Sequence, residues 1–315
     1  MKKILILGGS GFVGRHVCAK LARLGWRVTV PTRRADHAQA VQTLPLLDVV
    51  HADVHDPAQL RQLVQGHDAV VNLIAILHGD AERFAKVHVT LMRHLVAACE
   101  AAGTQRVVHV SALGVTEPHT AAPSIYLRSK GEGEAVLRAS KLDWTVIRPS
   151  VIFGADDQFL NLFAKLQKTA PFMPLAGAHA RFQPVWVEDV AQAVVHALQN
   201  KHKAGAVYEA CGPDVYTLKE LVQLAARHSG MAPRAVLALP DWAGMLQALV
   251  MEHLPGPTLM SRDNLASMRS DNLATGLPGL KDLGIEAASL EAVAPTYLGR
   301  TSPMRRNDDL RAGSH

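Results

Sequence analysis

The strongest constraint on this chain is a glycine-rich turn directly after its first apolar run. Lys3–Gly8 reads as a short strand, and GGSGFVG at residues 8–14 follows it at once, placing Gly8, Gly11 and Gly14 in the spacing G-x-x-G-x-x-G. Glycines at that spacing serve three needs: a sharp turn, close approach of backbone to a ligand, and close packing of the following helix on the strand. A helix that begins near Gly11 and stops at Gly25 points its unpaired N–H groups back at the turn, which makes an anion-binding corner. The expected ligand is the pyrophosphate of a dinucleotide, held by Gly8, Ser10, Gly11, Phe12, Val13 and Gly14.

The rest of the first half repeats the same rhythm of β-branched run, polar turn and helical stretch. Strands are expected at Arg27–Thr32, Val49–Ala52, Ala69–Ala75, Arg106–Ser111 and Trp144–Arg148, and they are nearly continuous in apolar residues, as strands covered on both faces are. One long helix is expected over Glu82–Ala102, closing at Gly103. The pattern predicts an α/β fold: a Rossmann-type doubly wound parallel sheet over residues 1–150. Beyond it the rhythm loosens into a strand near Pro184–Val187, a helix Glu188–Gln199, a strand Val207–Ala210 and a helix Leu218–His228. Residues 151–300 are therefore expected to form a smaller α/β lobe intertwined with the first, and 301–315 a flexible polar tail.

Composition narrows the class. Hydrophobic residues make up 48% of the chain and charged residues 19%, which excludes a disordered or fibrous protein. The net charge of +5 is spread without a basic stripe, so nucleic acid is not an expected partner. Cys18, Cys99 and Cys211 fit neither a zinc site nor a disulfide framework. His51 and His55 sit four apart, but on a strand end and turn, where that spacing does not converge on a metal; none is expected. His78, His88, His94 and His109 read as packing or surface residues. No apolar run is long enough to span a membrane, and Ile4–Leu7 is too short for a signal peptide, so a cytoplasmic location is expected. Trp242, Met245, Leu246 and Leu249 follow helical spacing and are expected to face a core; exposed, they would mark a docking face for a partner or the membrane edge.

Two further groups of residues carry chemistry. Where an NAD site usually has an acid, the second strand ends in Thr32-Arg33-Arg34, and a guanidinium matches a 2'-phosphate bidentately. NADP(H) is thus favoured, with NAD(H) left open because Asp36 lies close enough along the chain to reach a ribose. Tyr126 and Lys130 are spaced to share a helix face, and Ser111 ends a strand on the ligand side of the sheet. Lys130 is expected to lower the Tyr126 phenol pKa, Tyr126 to exchange a proton with a substrate oxygen, and Ser111 to hold that oxygen.

GGSGFVG, Asp53 in ADV, NLIA at 72–75, VSALG around Ser111, YLRSK at 126–130 and IRPSVIFG at 147–154 together resemble the extended or atypical short-chain dehydrogenase/reductase superfamily, which includes nucleotide-sugar epimerases. YLRSKGEGE, RPSVIFGADDQFLNLFAKL, QPVWVEDVAQAV and LPGLKDLGIEAASLE are similar to the nucleotide-binding accessory subunits of respiratory complex I and their bacterial relatives, over almost the whole chain. The resemblance implies adenine contacts from Asp53 and Val54, ribose and nicotinamide contacts from Leu73, Ile74 and Ala75, and nicotinamide contacts from Pro149, Val151 and Ile152. It also implies two functions: an oxidoreductase or epimerase, or a nucleotide-stabilised structural or assembly component with a respiratory-chain partner, peripheral to the inner face of a membrane. Leu7 departs from the threonine common at that position.

Overall fold

A computed structural model describes residues 1–169, 171–200, 205–253 and 260–298. The expected tail lies outside them. Two compact units share the chain: Met1–Pro149 with Val187–Ala210 and Ala274–Glu286, and Ser150–Trp186 with Cys211–Leu273 and the residues from Ala287 onward.

In the first unit, seven strands form one sheet. They are β1 (Lys3–Leu7), β2 (Arg27–Thr32), β3 (Leu47–His51), β4 (Ala69–Asn72), β5 (Arg106–Val110), β6 (Asp143–Pro149) and β7 (Ala206–Ala210). The order is β3-β2-β1-β4-β5-β6-β7, every pair parallel. Strand order reverses between β1 and β4, and a crevice opens at the carboxyl ends of an open sheet at such a point. The longer helices are α1 (Phe12–Arg23), α2 (Pro57–Val64), α3 (Leu91–Ala102), α4 (Ile125–Arg138) and α5 (Val187–Gln199). Leu5, Leu7, Leu60, Val70, Met92, Leu95, Val107 and Val146 form one core, each large side chain contributing about 1.5–3 kcal/mol by leaving water.

The sequence placed Glu188–Gln199 and Val207–Ala210 in the second lobe, whereas α5 and β7 belong to the first unit. The physical reason is pairing. β7 extends the sheet through Val207 beside Val146 and Tyr208 beside Ile147. Glu188 at the start of α5 binds His16 at 2.6 Å and Lys20 at 2.8 Å, both on α1.

The long helix expected over 82–102 is in fact three pieces. Ala81–Phe84 is α-helical, Ala85–Thr90 is a π-helix, and α3 follows. A π segment inserts an extra residue per turn without changing the apolar rhythm enough to be seen in sequence, and such segments are common at functional sites. β4 also ends earlier than expected, at Asn72, so Leu73–Ala75 leave the sheet as a loop.

The second unit has its own core of Phe153, Leu160, Phe163, Leu175, Leu218, Leu221, Val222 and Leu290. Strand pairs Phe172–Leu175 with Ala235–Ala238, Ile152–Phe153 with Val185–Trp186, and Arg181–Phe182 with Tyr216–Thr217 brace it. Helix Asp241–His253 reverses the expectation for its apolar side chains: Trp242 is 74% exposed and Leu246 56%, and Met245 and Leu249 are exposed as well. The inward face carries Gly244 and Ala248 instead. A Cβ on Gly244 would lie 2.9 Å from that of Ala176, so the helix approaches too closely for large residues to turn inward.

One buried ion pair ties α4 to β6. Arg148 and Glu134 meet at 2.6 Å with side chains only 7% and 2% exposed. Glu134→Ala strands the guanidinium without its partner and is expected to destabilise the fold by about 3–5 kcal/mol in urea denaturation. A loss below about 1 kcal/mol contradicts this account of the pair.

Candidate cofactor and active site

At the head of β1 the backbone takes the shape that the glycine spacing demands. Gly8 has φ +83°, a left-handed conformation that disfavours any side chain. A Cβ on Gly14 would fall 2.3 Å from the Gly8 carbonyl oxygen and 2.6 Å from the Gly9 Cα. Gly11, the N-cap of α1, accepts from Arg15 N through its carbonyl, and neither a side-chain cap nor an acid in the first turn satisfies the opening N–H groups. Phe12, Val13 and Gly14 therefore open the helix with amides directed outward, which suits a diphosphate. Beneath them the Cys18 thiol donates to the Gly9 carbonyl at 3.7 Å, and burial pushes that thiol up to about 12.

The loop after β4 lies against this turn. Leu73 N donates to Leu7 O at 2.9 Å, and the Cβ position of Gly8 is 3.3 Å from Ile74 N. Asn72 fixes the loop: its Oδ1 accepts from Ile74 N at 3.2 Å, and its amide pairs with His109 Nδ1 at 3.3 Å. Farther out, Asp53 is organised by Gln59, whose Oε1 accepts from Asp53 N, while Asp53 Oδ1 accepts from His55 N; Val54 beside it is buried.

At the end of β2 the two arginines differ. Arg34 donates to Asp36 at 2.8 Å, both exposed, whereas Arg33 is exposed with no ion-pair partner among the described residues. The carboxylate that sequence left as a ribose acceptor is thus occupied by its neighbour.

Tyr126, Lys130 and Ser111 are all in the first unit. Ser124 caps α4 by accepting from Leu127 N at 3.1 Å, and Tyr126 and Lys130 follow one turn apart. Lys130 is almost fully buried and donates to Val110 O at 2.9 Å, at the end of β5. Ser111, the next residue, is buried and its hydroxyl has no hydrogen-bond partner among the described residues. A buried hydroxyl left unpaired costs about 1–3 kcal/mol, so such a group points to a ligand atom that completes it. With the glycine cradle, that orphaned hydroxyl fits a site for a bound dinucleotide.

The expected depression of the Tyr126 phenol is not what the structure gives. Burial pushes the phenol up to about 12, and Lys130, bonded to the Val110 carbonyl, does not offset it. Burial lowers Lys130 to about 8, against a smaller opposing pull from Glu134. Pro149 closes β6 in the first unit and accepts from Leu113 N. Val151 and Ile152 open the second unit, where the Val151 carbonyl accepts from Val185 N and Ile152 pairs with Val185. One residue that sequence treated as packing also enters the site: His88 lies against Tyr126 with ring centroids 5.6 Å apart.

The Lys130 shift has a definite sign. Below pH 8 the lysine is charged in both folded and unfolded chains, and its burial penalty is complete. Above about 8 only the folded state releases the proton, so the penalty fades as pH rises toward 10.5. The stability of wild type minus that of Lys130→Met is expected to climb by about 2–3 kcal/mol between pH 8 and 10, below the range where Tyr126 adds its own term. A flat difference contradicts a buried, charged Lys130.

Comparison with known proteins agrees with this geometry. A family model described as NAD(P)H-binding matches residues 8–201. Subunit 9 of the mitochondrial NADH dehydrogenase [ubiquinone] 1 alpha subcomplex of Rattus norvegicus is 33% identical, over 94% of this chain and 79% of that protein. A ceramide reductase of Caulobacter vibrioides is 31% identical, over 78% of this chain and 75% of its own length. In fold, dTDP-glucose 4,6-dehydratase of Streptomyces venezuelae, solved with NAD, superposes with TM-score 0.73 at 24% identity, covering 97% of each chain. Among the described residues no helix is long and apolar enough to cross a membrane. The chain belongs to the NAD(P)H-binding family, with a short-chain dehydrogenase/reductase fold and relatives among both mitochondrial NADH dehydrogenase subunits and bacterial reductases.

Proposed function

We propose that this chain is an NADP(H)-dependent reductase of the short-chain dehydrogenase type, acting on a carbonyl group. The observation that carries the reading is the buried Ser111 hydroxyl, unpartnered among the described residues, directly after the strand end that receives the Lys130 ammonium. When bound, the nicotinamide supplies the hydride. Ser111 donates a hydrogen bond to the substrate oxygen, and Tyr126 delivers the proton that the developing alkoxide needs. A phenol held near 12 stays protonated at neutral pH, so Tyr126 begins as a donor, which favours reduction over oxidation. Lys130 is fixed by the Val110 carbonyl at the end of β5, next to Ser111 in the chain. The reductase among its relatives supports the same direction of reaction.

The choice of NADP(H) rests on Arg33. Arg34 is neutralised by Asp36, and that carboxylate is in turn withdrawn from a ribose hydroxyl, so a plain NAD ribose lacks its usual acceptor there. Arg33→Ala is expected to weaken NADPH binding about tenfold or more by titration calorimetry and to leave NADH unchanged. Equal losses for both, or tighter NADH binding by wild type, contradict the assignment.

Tyr126→Phe is expected to lower carbonyl reduction by at least about a hundredfold and to leave the NADPH affinity within about twofold. Reduction at the wild-type rate by this variant sinks the catalytic reading. A second reading, a nucleotide-stabilised assembly component, is favoured by the exposed apolar side of helix Asp241–His253 and by the subunit relatives. It requires no turnover with any carbonyl or quinone, together with a rise in thermal stability on adding NADPH.

A further inference from the structure

We infer that His88 is a positioning residue that joins the loop after β4 to the Tyr126 helix, so that the nicotinamide-side backbone and the proton-donating phenol are set by one ring. The inference deepens the proposed dinucleotide site and rests on it. His88 lies inside the π-helical segment Ala85–Thr90 and is buried. Its Nε2 accepts from Ile76 N at 3.2 Å, in the loop that begins at Leu73. Because Nε2 accepts, the ring proton sits on Nδ1, which donates to Ser129 Oγ at 2.8 Å. Ser129 Oγ in turn donates to the Tyr126 carbonyl at 2.8 Å. Every proton in this chain therefore has one direction.

The ring is held in place on its faces as well. It stands edge-on to Tyr126 with an interplanar angle of 79°, and Phe84 packs on both rings at centroid distances of 5.6 and 6.0 Å. Behind it, a Cβ on Gly133 would lie 2.4 Å from the His88 carbonyl oxygen, so α4 and the π segment meet backbone to backbone. Burial and nearby Lys130 lower the imidazole to about 3, so the ring stays neutral and keeps this bonding across the working range of pH. Asn72 anchors the same loop at Ile74. His88 connects the loop at Ile76 to Ser129 and, through it, to the Tyr126 backbone.

The test compares two probes that share an adenosine end and differ in the nicotinamide. NADPH and 2'-phospho-ADP-ribose are titrated into the full chain, wild type, His88→Phe and Ser129→Ala. His88→Phe keeps the aromatic packing and removes both ring hydrogen bonds; Ser129→Ala removes the bonds on the Tyr126 side, from His88 Nδ1 and to the Tyr126 carbonyl, leaves the bond from Ile76 N to His88 Nε2, and covers the case in which the first variant does not fold. The expected result is about a tenfold loss of NADPH affinity in His88→Phe with less than about twofold change for 2'-phospho-ADP-ribose, and a smaller loss of the same kind in Ser129→Ala. A role in folding alone would weaken both probes together, and that outcome, or no loss for either, overturns the inference. Wild type that binds neither probe overturns the dinucleotide reading itself, and this inference with it.

Discussion

The contact on which the site depends is the one between a residue without a side chain and the start of a loop. Gly8 turns at φ +83° against the backbone of Leu73 and Ile74, so the ends of β1 and β4 close up where strand order reverses. A side chain at Gly8 would crowd the backbone of Leu73 and Ile74, and one at Gly14 would push the start of α1 off the Gly8–Gly9 turn. The parallel sheet sets the crevice, the glycines let backbone line it, and the helix opening gives it a preference for anions.

Around that corner the protein spends its polar groups on orientation. Asn72, His88 and Ser129 are each bonded to backbone of the loop or of the Tyr126 helix, and Lys130 is bonded to the β5 carbonyl. Ser111 is the exception: its hydroxyl has no partner among the described residues. Burial sets the protonation states: a neutral imidazole, a protonated phenol and a lysine poised near 8. In the reductase we propose, these states would let the site donate protons and hydrogen bonds to charge that develops on a substrate oxygen.

Much of this was legible in the chain itself, for a physical reason. Strands of a parallel sheet are buried on both faces and read as apolar runs, and a glycine turn between strand and helix has few other uses, so β1, β2, β5 and the Gly8–Gly14 corner stand out. What was not legible depends on neighbours distant in sequence. The π segment at 85–90 leaves the apolar rhythm almost intact, which hid the role of His88. The Arg34–Asp36 pair separates two adjacent arginines that look alike in sequence. The outward side chains of helix Asp241–His253 follow from the close fit of Gly244 on Ala176, which no local pattern reveals. The sign of the Tyr126 shift is set by burial, not by the lysine four residues on.

The most direct test of the central claim is hydrogen exchange of the backbone amides with and without saturating NADPH. If the glycine corner holds the diphosphate and the β4 loop backs the nicotinamide, slowing should concentrate at residues 9–15 and 73–76, with the amides opening α1 most affected. Protection confined to other segments, or none at all at a nucleotide concentration that saturates binding, would contradict the account.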